Sequence, residues 1–123
     1  MRGKLHDDVL RIHRILTAAT PDSLVVMNEI FASTALSDAV FLATSVMRRI
    51  LDLDCLGVCV SFLDELATLG PSVVSMVSSI APDDPSRRTF KLLRRPADGR
   101  AYAMAIAEKY RLDRRAILER LAP

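Results

Sequence analysis

The sequence predicts an α/β fold, because short apolar runs with strand character alternate with segments of helical periodicity. A helix at Leu5–Ala18 precedes an apolar run at Ser23–Met27, and a second helix precedes another run at Gly57–Phe62. Short runs rich in Leu and Val are typical of strands buried in parallel sheets. A strand, a crossover helix and a second strand make a parallel pair. The chain of 123 residues, half of them apolar, can form one domain with a core.

Each element of the first half has its own signal. The first helix carries an apolar stripe of residues at helical spacing, namely Leu5, Val9, Ile12 and Leu16. Pro21 and Asp22 end this helix in a turn. The second helix is expected to begin after a cap at Thr34 or Ser37 and to end near Asp52. Its apolar stripe is predicted to comprise Val40, Thr44, Met47 and Leu51.

The second half has a different order of predicted elements, namely a hairpin followed by two helices. A short helical turn at Leu63–Leu69, with Asp64 and Glu65 at its amino end, leads to Gly70 and Pro71. Strands are then predicted at Val73–Ile80 and Thr89–Arg95, joined by a turn over residues 81–86. The chain closes with helices predicted at Arg100–Tyr110 and Asp113–Leu121.

Several functional classes find little support in the sequence. The net charge is +2, and the longest apolar run is too short for the ~20 residues of a membrane helix. The first residues are polar and do not resemble a signal peptide, so a cytoplasmic protein that does not bind membranes is expected. Cys55 and Cys59 lack the partners of a zinc set and are interpreted as buried free thiols. His6 and His13 are too far apart for a metal pair on one helix.

The first predicted strand ends abruptly in two polar residues, Asn28 and Glu29. In open α/β sheets, ligands bind beyond the carboxyl ends of the strands. A carboxylate fixed there can support magnesium, and a second can orient the water that attacks a phosphate. This pattern is typical of the Walker B element of nucleotide hydrolases, although the spacing alone is a weak signal.

Longer segments around this strand resemble the MutS family of mismatch-recognition ATPases. They are Ile15–Thr20, Ser23–Ile30, Ser33–Thr34 with Asp38, Phe62–Leu66 and Arg94–Tyr102. Together they cover nearly the whole chain in compatible order and are closest to the shorter MutS-related proteins. The resemblance implies a partial P-loop NTPase sheet of the ABC type, with an antiparallel hairpin and flanking helices. Residues 1–123 would form the carboxy-terminal half of the ATPase domain, from Walker B onward.

The resemblance also implies roles for individual residues. Glu29 matches the catalytic carboxylate that polarises water for attack on the terminal phosphate of ATP. Asn28 takes the position of the magnesium-supporting acid and would act on the metal only through a bound water. Phe62 stands where the main branch of the family has a phosphate-sensing histidine, so that contact would be absent or made by neighbouring Ser61. The loop that packs across the family's ATPase dimer interface would include Ser33, Thr34 and Asp38.

The sequence contains no GxxxxGK[ST] phosphate-binding loop, because none of its four glycines begins such a run. The family's signature loop would precede the first helix, and only Arg2–Leu5 reaches towards it. ATP and Mg²⁺ are therefore expected as cofactors of a complete domain and not as tight ligands of this chain alone. The implied partners are the amino-terminal half of the ATPase domain, a second copy across the ATPase interface, and DNA bound through the parent protein. A fragment and a truncated gene product both fit.

Two further questions stay open at the level of sequence. The chain could instead be a non-catalytic interaction module that docks on an intact ATPase. Six basic residues cluster around the predicted hairpin, namely Arg87, Arg88, Lys91, Arg94, Arg95 and Arg100. They could contact DNA phosphates. A solvated or ion-pairing role is the preferred interpretation, because charge runs are commonly solvent faces and no aromatic side chain is interpreted as a stacking platform here.

Overall fold

The computed structural model describes residues 3–97, 106–110, 112 and 114–121. The chain divides into two compact units, residues 1–73 and residues 74–123. The first unit has mixed α/β structure with a parallel pair of strands, and the second contains an antiparallel hairpin. The predicted α/β class is thus confirmed at this level, and each unit is described by itself.

The first unit contains two helices and two parallel strands in alternation, followed by a 3₁₀ helix. Its elements are α1 (Lys4–Ala18), β1 (Leu24–Asn28), α2 (Leu36–Leu53), β2 (Leu56–Val60) and the 3₁₀ helix Asp64–Thr68. The two strands pair in parallel, in a register that runs from Leu24 opposite Leu56 to Asn28 opposite Val60. The predicted strand–helix–strand unit is confirmed, with strand boundaries shifted by one or two residues.

One face of this sheet is buried under the helices. Alternate residues of β1, Val25 and Met27, point into the core. The buried stripe of α2 consists of Ala39, Ala43, Val46 and Ile50. The predicted stripe is therefore wrong, because each of its four residues lies one position after a buried residue. The two alanines let the helix lie close to the strands, and larger residues flank this contact. Gly57 marks the same closeness, since a Cβ atom there would lie 3.1 Å from Cγ2 of Ile50.

The helix termini differ from the sequence prediction. The cap of α2 is Ala35, which makes no side-chain capping hydrogen bond, so the predicted cap at Thr34 or Ser37 is wrong. Thr34 instead donates its backbone N–H to the carbonyl of Phe31 at 3.1 Å. This bond closes a tight turn before the helix, and the turn sets where α2 begins. In α1 only Leu16 of the predicted stripe is fully buried.

The other face of the parallel sheet is apolar and exposed. Leu24 and Val26 on β1 are 62% and 67% exposed. Three residues of β2 lie opposite or beside them and are also more than half exposed, namely Leu56, Val58 and Val60. We call these five side chains the open sheet face. Parallel sheets are normally covered on both faces, so the open sheet face is an unusual feature of this unit.

The second unit is built on a hairpin of β3 (Met76–Ala81) and β4 (Asp84–Arg94). The antiparallel pairing is confirmed, but the prediction of a turn over residues 81–86 is wrong. Pro82 and Asp83 alone make the turn, and β4 already begins at Asp84. Pro85 is tolerated in β4 because an edge position needs no backbone N–H donor. Asp84 also folds back locally, since its Oδ1 accepts bonds from the backbone and hydroxyl of Ser86.

The hairpin register shifts between Ser78 and Ile80, where three residues of β4 oppose one of β3. Phe90 lies in this bulge with a left-handed backbone, at a φ of 61°. Ser79, the buried polar residue opposite the bulge, bonds to the hydroxyl of Thr89 and donates to the carbonyl of Lys91 at 3.2 Å. Bulges of this kind redirect side chains and increase the local twist.

The rest of the second unit is helical where it is described. Residues 106–109 form part of a helix, and α3 spans Arg114–Leu121. The predicted helix Arg100–Tyr110 lies partly outside the described residues, and Arg100 of the basic cluster lies outside them. Among the residues that the structure describes, no helix is long and apolar enough to cross a membrane.

Candidate functional site

A small cleft lies at the carboxyl ends of β1 and β2, where both strands run into loops. Its volume is about 110 Å³. It is bounded by the loop after β1, the start of α2 and the segment after β2, and its lining residues are Glu29, Ile30, Phe31, Ala32, Thr34, Leu36, Ala39, Ser61, Phe62 and Leu63. Three predicted site residues, Glu29, Thr34 and Ser61, thus meet at the edge where ligands of α/β sheets bind.

Glu29 is held at the cleft by its backbone. Its N–H donates to the carbonyl of Val60 at 2.7 Å, which joins it to the last residue of β2. Its φ of 51° lies in the left-handed region, which a non-glycine residue adopts at a cost of about 1–3 kcal/mol. The bond to Val60 and the tight turn that follows hold this conformation. The carboxylate is exposed and lines the cleft.

Ser61 is the second polar group of the cleft. Its Oγ accepts the backbone N–H of Leu63 at 3.0 Å, and the side chain is half-buried. Because the hydroxyl oxygen serves as the acceptor in this bond, its own proton is available to donate to an anionic ligand. Thr34 also lines the cleft, and its side chain carries a further hydroxyl.

Apart from Phe62, which is exposed at the cleft, the apolar wall consists of residues that the sequence analysis did not single out. Phe31 is 2% exposed and, like Glu29, has a left-handed φ, of 62°. Ala39 and Leu63 are also buried, and they connect the wall to the core. The sequence signal that could have identified Phe31 was a large aromatic residue in a loop, because such a side chain is usually buried.

The other predicted residues do not line the cleft. Asn28 ends β1 on the exposed side, the same side as Leu24 and Val26, because successive strand residues alternate between faces. Ser33 is exposed in the turn before α2, and Asp38 is exposed in the first turn of α2. An acidic residue in that position interacts favourably with the helix dipole, which gives Asp38 a structural role here.

Cysteine and histidine side chains contribute nothing to the cleft. Cys55 and Cys59 are free, as predicted, but are half-buried instead of buried, and burial raises the pKa of the Cys59 thiol. His6 and His13 are exposed on α1. Within residues 3–97 and the described helical segments, no group of three or more His, Cys, Asp or Glu side chains could hold a metal ion.

Asp64 and Glu65 lie in the first turn of the 3₁₀ helix, as expected, and are exposed. They do not cap it, because the helix follows Leu63 without a side-chain capping bond.

Comparison with models of known protein families and with curated proteins returned no match to this chain.

Proposed function

We propose that this chain is the carboxy-terminal part of a MutS-like ATPase domain, in which Glu29 activates the water that attacks the terminal phosphate of ATP. One observation carries the proposal. Glu29 lies at the shared carboxyl edge of two parallel strands, in a cleft with two hydroxyl side chains. The strained backbone of Glu29 adds support, because such strain concentrates at functional sites.

In this proposal the cleft receives the end of the nucleotide where water attacks. The Glu29 carboxylate accepts a hydrogen bond from the water and so orients it for in-line attack. The Ser61 hydroxyl donates a hydrogen bond to a phosphoryl oxygen. This bond stabilises the charge that develops on the phosphate. Thr34, which also lines the cleft, would supply a second hydroxyl donor. The parent protein would couple this turnover to the recognition of mismatched or structured DNA.

The cleft fits only the terminal part of a nucleotide. Its volume of about 110 Å³ is well below the roughly 300–1,000 Å³ of pockets that enclose small-molecule ligands. Glu29 is the only carboxylate that lines it, and the Asn28 amide adds no negative charge for Mg²⁺. The remaining phosphates and most of the metal coordination therefore require groups from outside these residues, such as the phosphate-binding loop that this sequence lacks.

The open sheet face supports the idea of a domain that is completed by another segment. A parallel pair is usually the centre of a larger sheet with helices on both sides. Here only one side is covered, and five aliphatic side chains remain exposed on the other. A strand that leads into the phosphate-binding loop would pair with the outer edge of β2 and bring the loop to the cleft, and the helix that follows the loop would cover this face.

The proposal predicts that the isolated chain does not turn over ATP. A phosphate-release assay on the purified chain, with Glu29→Gln as the matched control, should give equal background rates. Adding the polypeptide that supplies the phosphate-binding loop should start turnover with the wild-type chain. Binding to that polypeptide without any turnover would instead favour the non-catalytic interaction module. Turnover by the isolated chain above the Glu29→Gln background would contradict the proposal.

A further inference from the structure

The basic residues of this chain are concentrated in its second unit. From Val74 to the carboxyl terminus there are 11 Lys and Arg against 6 Asp and Glu, a net charge of +5. The first 73 residues have 6 against 9, a net charge of −3. A basic unit joined to an acidic one is typical of a protein whose basic part meets a polyanion.

Strand β4 concentrates this charge around an exposed aromatic ring. Phe90 is 89% exposed, more than any other large apolar residue described. Arg88 lies two positions before it and Lys91 directly after it, and both are exposed. The interpretation that no aromatic residue is interleaved with the basic cluster is wrong, because Phe90 lies between Arg88 and Lys91 in the sequence and its ring is exposed in the structure. We call the exposed side chains of Arg87, Arg88, Phe90, Lys91 and Arg94 the β4 basic surface.

The hairpin holds Phe90 in its exposed position. The left-handed backbone at Phe90 belongs to the bulge, and the residues on both sides of it are bonded. Thr89 donates its hydroxyl to the carbonyl of Ser79 at 3.3 Å, and the carbonyl of Lys91 accepts from the Ser79 hydroxyl at 3.2 Å. A phenylalanine presented in this way costs the protein both backbone strain and exposed apolar area.

We propose that the β4 basic surface binds single-stranded nucleic acid, with a base stacked on Phe90 and phosphates held by the flanking cations. Base stacking on aromatic side chains and a cationic track for the backbone are the two components of such sites. From Arg88 to Arg94 the strand spans at most ~20 Å, the length of about six stacked nucleotides at 3.4 Å each. The pair between Arg87 and Asp83, at 3.1 Å, is exposed and can be exchanged for phosphate.

Two other polyanions fit this surface less well. In a paired duplex the bases already stack on one another, so an aromatic ring finds no free base unless the strands separate. An anionic membrane requires a broad apolar face beneath the cations, whereas on β4 the exposed Phe90 and Leu92 are interspersed with Arg88, Lys91 and Arg94 along one narrow strand. The proposed site shares no residue with the Glu29 cleft and does not depend on ATP.

Fluorescence anisotropy of a labelled 12-nucleotide oligothymidine, titrated with the full chain without ATP, tests the proposal. Phe90→Ala should weaken binding about 10-fold or more, because stacking contributes ~1–3 kcal/mol per base. Phe90→Tyr should bind within about two-fold of wild type, since it keeps the ring. The matched control is Phe41→Ala, which removes an exposed ring from α2 in the acidic unit and should leave binding unchanged. Circular dichroism checks that each variant is folded.

The charge component has its own readout. Replacing Lys91 and Arg94 together by Gln should reduce the slope of log affinity against log salt by about 1.4, because each single-strand phosphate contact contributes roughly 0.7. Glu29→Gln should bind the oligonucleotide like wild type, so failure of the ATPase proposal and failure of this one are distinguishable. The proposal is overturned if the chain does not bind the oligonucleotide or if Phe90→Ala and Phe41→Ala bind equally. Phe90-dependent binding to phosphatidylserine vesicles in place of the oligonucleotide would also overturn it.

Discussion

In the proposed ATPase, once completed by the segment that carries the phosphate-binding loop, replacing Glu29 by Gln should lower kcat by about 100-fold or more and leave ATP affinity within about two-fold. Gln has the same size and can adopt the same backbone, so the cleft and the bond to Val60 are retained. What is lost is the negative charge that orients and polarises water, a contribution of ~10²–10⁴ in rate for residues of this type. Because the water is activated only in the transition state, the effect falls on kcat and not on nucleotide binding.

The matched control for this prediction is Asn28→Ala. Asn28 precedes Glu29 but lies on the opposite, exposed side of the sheet end, where it could contact a metal only through water. Its loss should change kcat by less than about ten-fold, with the main effect on the Mg²⁺ concentration needed for half-maximal turnover. Steady-state rates and nucleotide titrations of both variants measure the difference. Small and equal effects of the two substitutions would contradict the assignment of Glu29.

The isolated chain is expected to self-associate through the open sheet face. The apparent mass should rise with concentration, because Val26 and Val58 lie side by side in the register and are both more than half exposed. Monomeric proteins rarely expose a contiguous apolar patch of this kind. Within the described residues β2 pairs only with β1, so its outer edge also offers backbone donors and acceptors to another chain. Light scattering across a concentration series measures this association.

Charged substitutions on the open sheet face test whether self-association uses this surface or any exposed apolar residue. Val26→Lys with Val58→Lys should keep the chain monomeric at concentrations where wild type associates, because both side chains are exposed and their replacement leaves the core intact. Phe41→Lys, at an equally exposed apolar position on α2, should leave association unchanged. A compact wild-type monomer with one cooperative melt at all concentrations would contradict the half-domain account and favour an autonomous module.

The order of elements in the first unit could be predicted from sequence because hydrophobic periodicity is a local property. β1 and β2 are short, mainly apolar runs, and the long helical pattern between them requires a crossover connection. Parallel pairing of the two strands could therefore be predicted. The placement of Glu29 at the sheet edge followed in turn from its position directly after β1. The cleft also contains Ser61, which was interpreted from sequence as a phosphate contact, and Thr34, which the resemblance had assigned to a dimer-interface loop instead.

Features that depend on tertiary packing could not be predicted in the same way. The stripe of α2 centres on Ala39 and Ala43, whose small side chains carry a weak hydrophobic signal but permit a close approach to the sheet. The bulge at Phe90 depends on bonds between Ser79 and residues ten or more positions away. The left-handed conformation of Glu29 and Phe31 has no marker in their residue types, because glycine and asparagine are the usual occupants of that region.

The most direct test of the account is the chemical state of the nucleotide held by the completed ATPase with Glu29→Gln. After one turnover time of the wild-type protein, the bound nucleotide is released by acid and separated into ATP and ADP. If Glu29 activates the attacking water, the variant holds ATP while wild type holds ADP. Bound ADP in the variant at the wild-type rate would show that another group activates the water and would contradict the role assigned to Glu29.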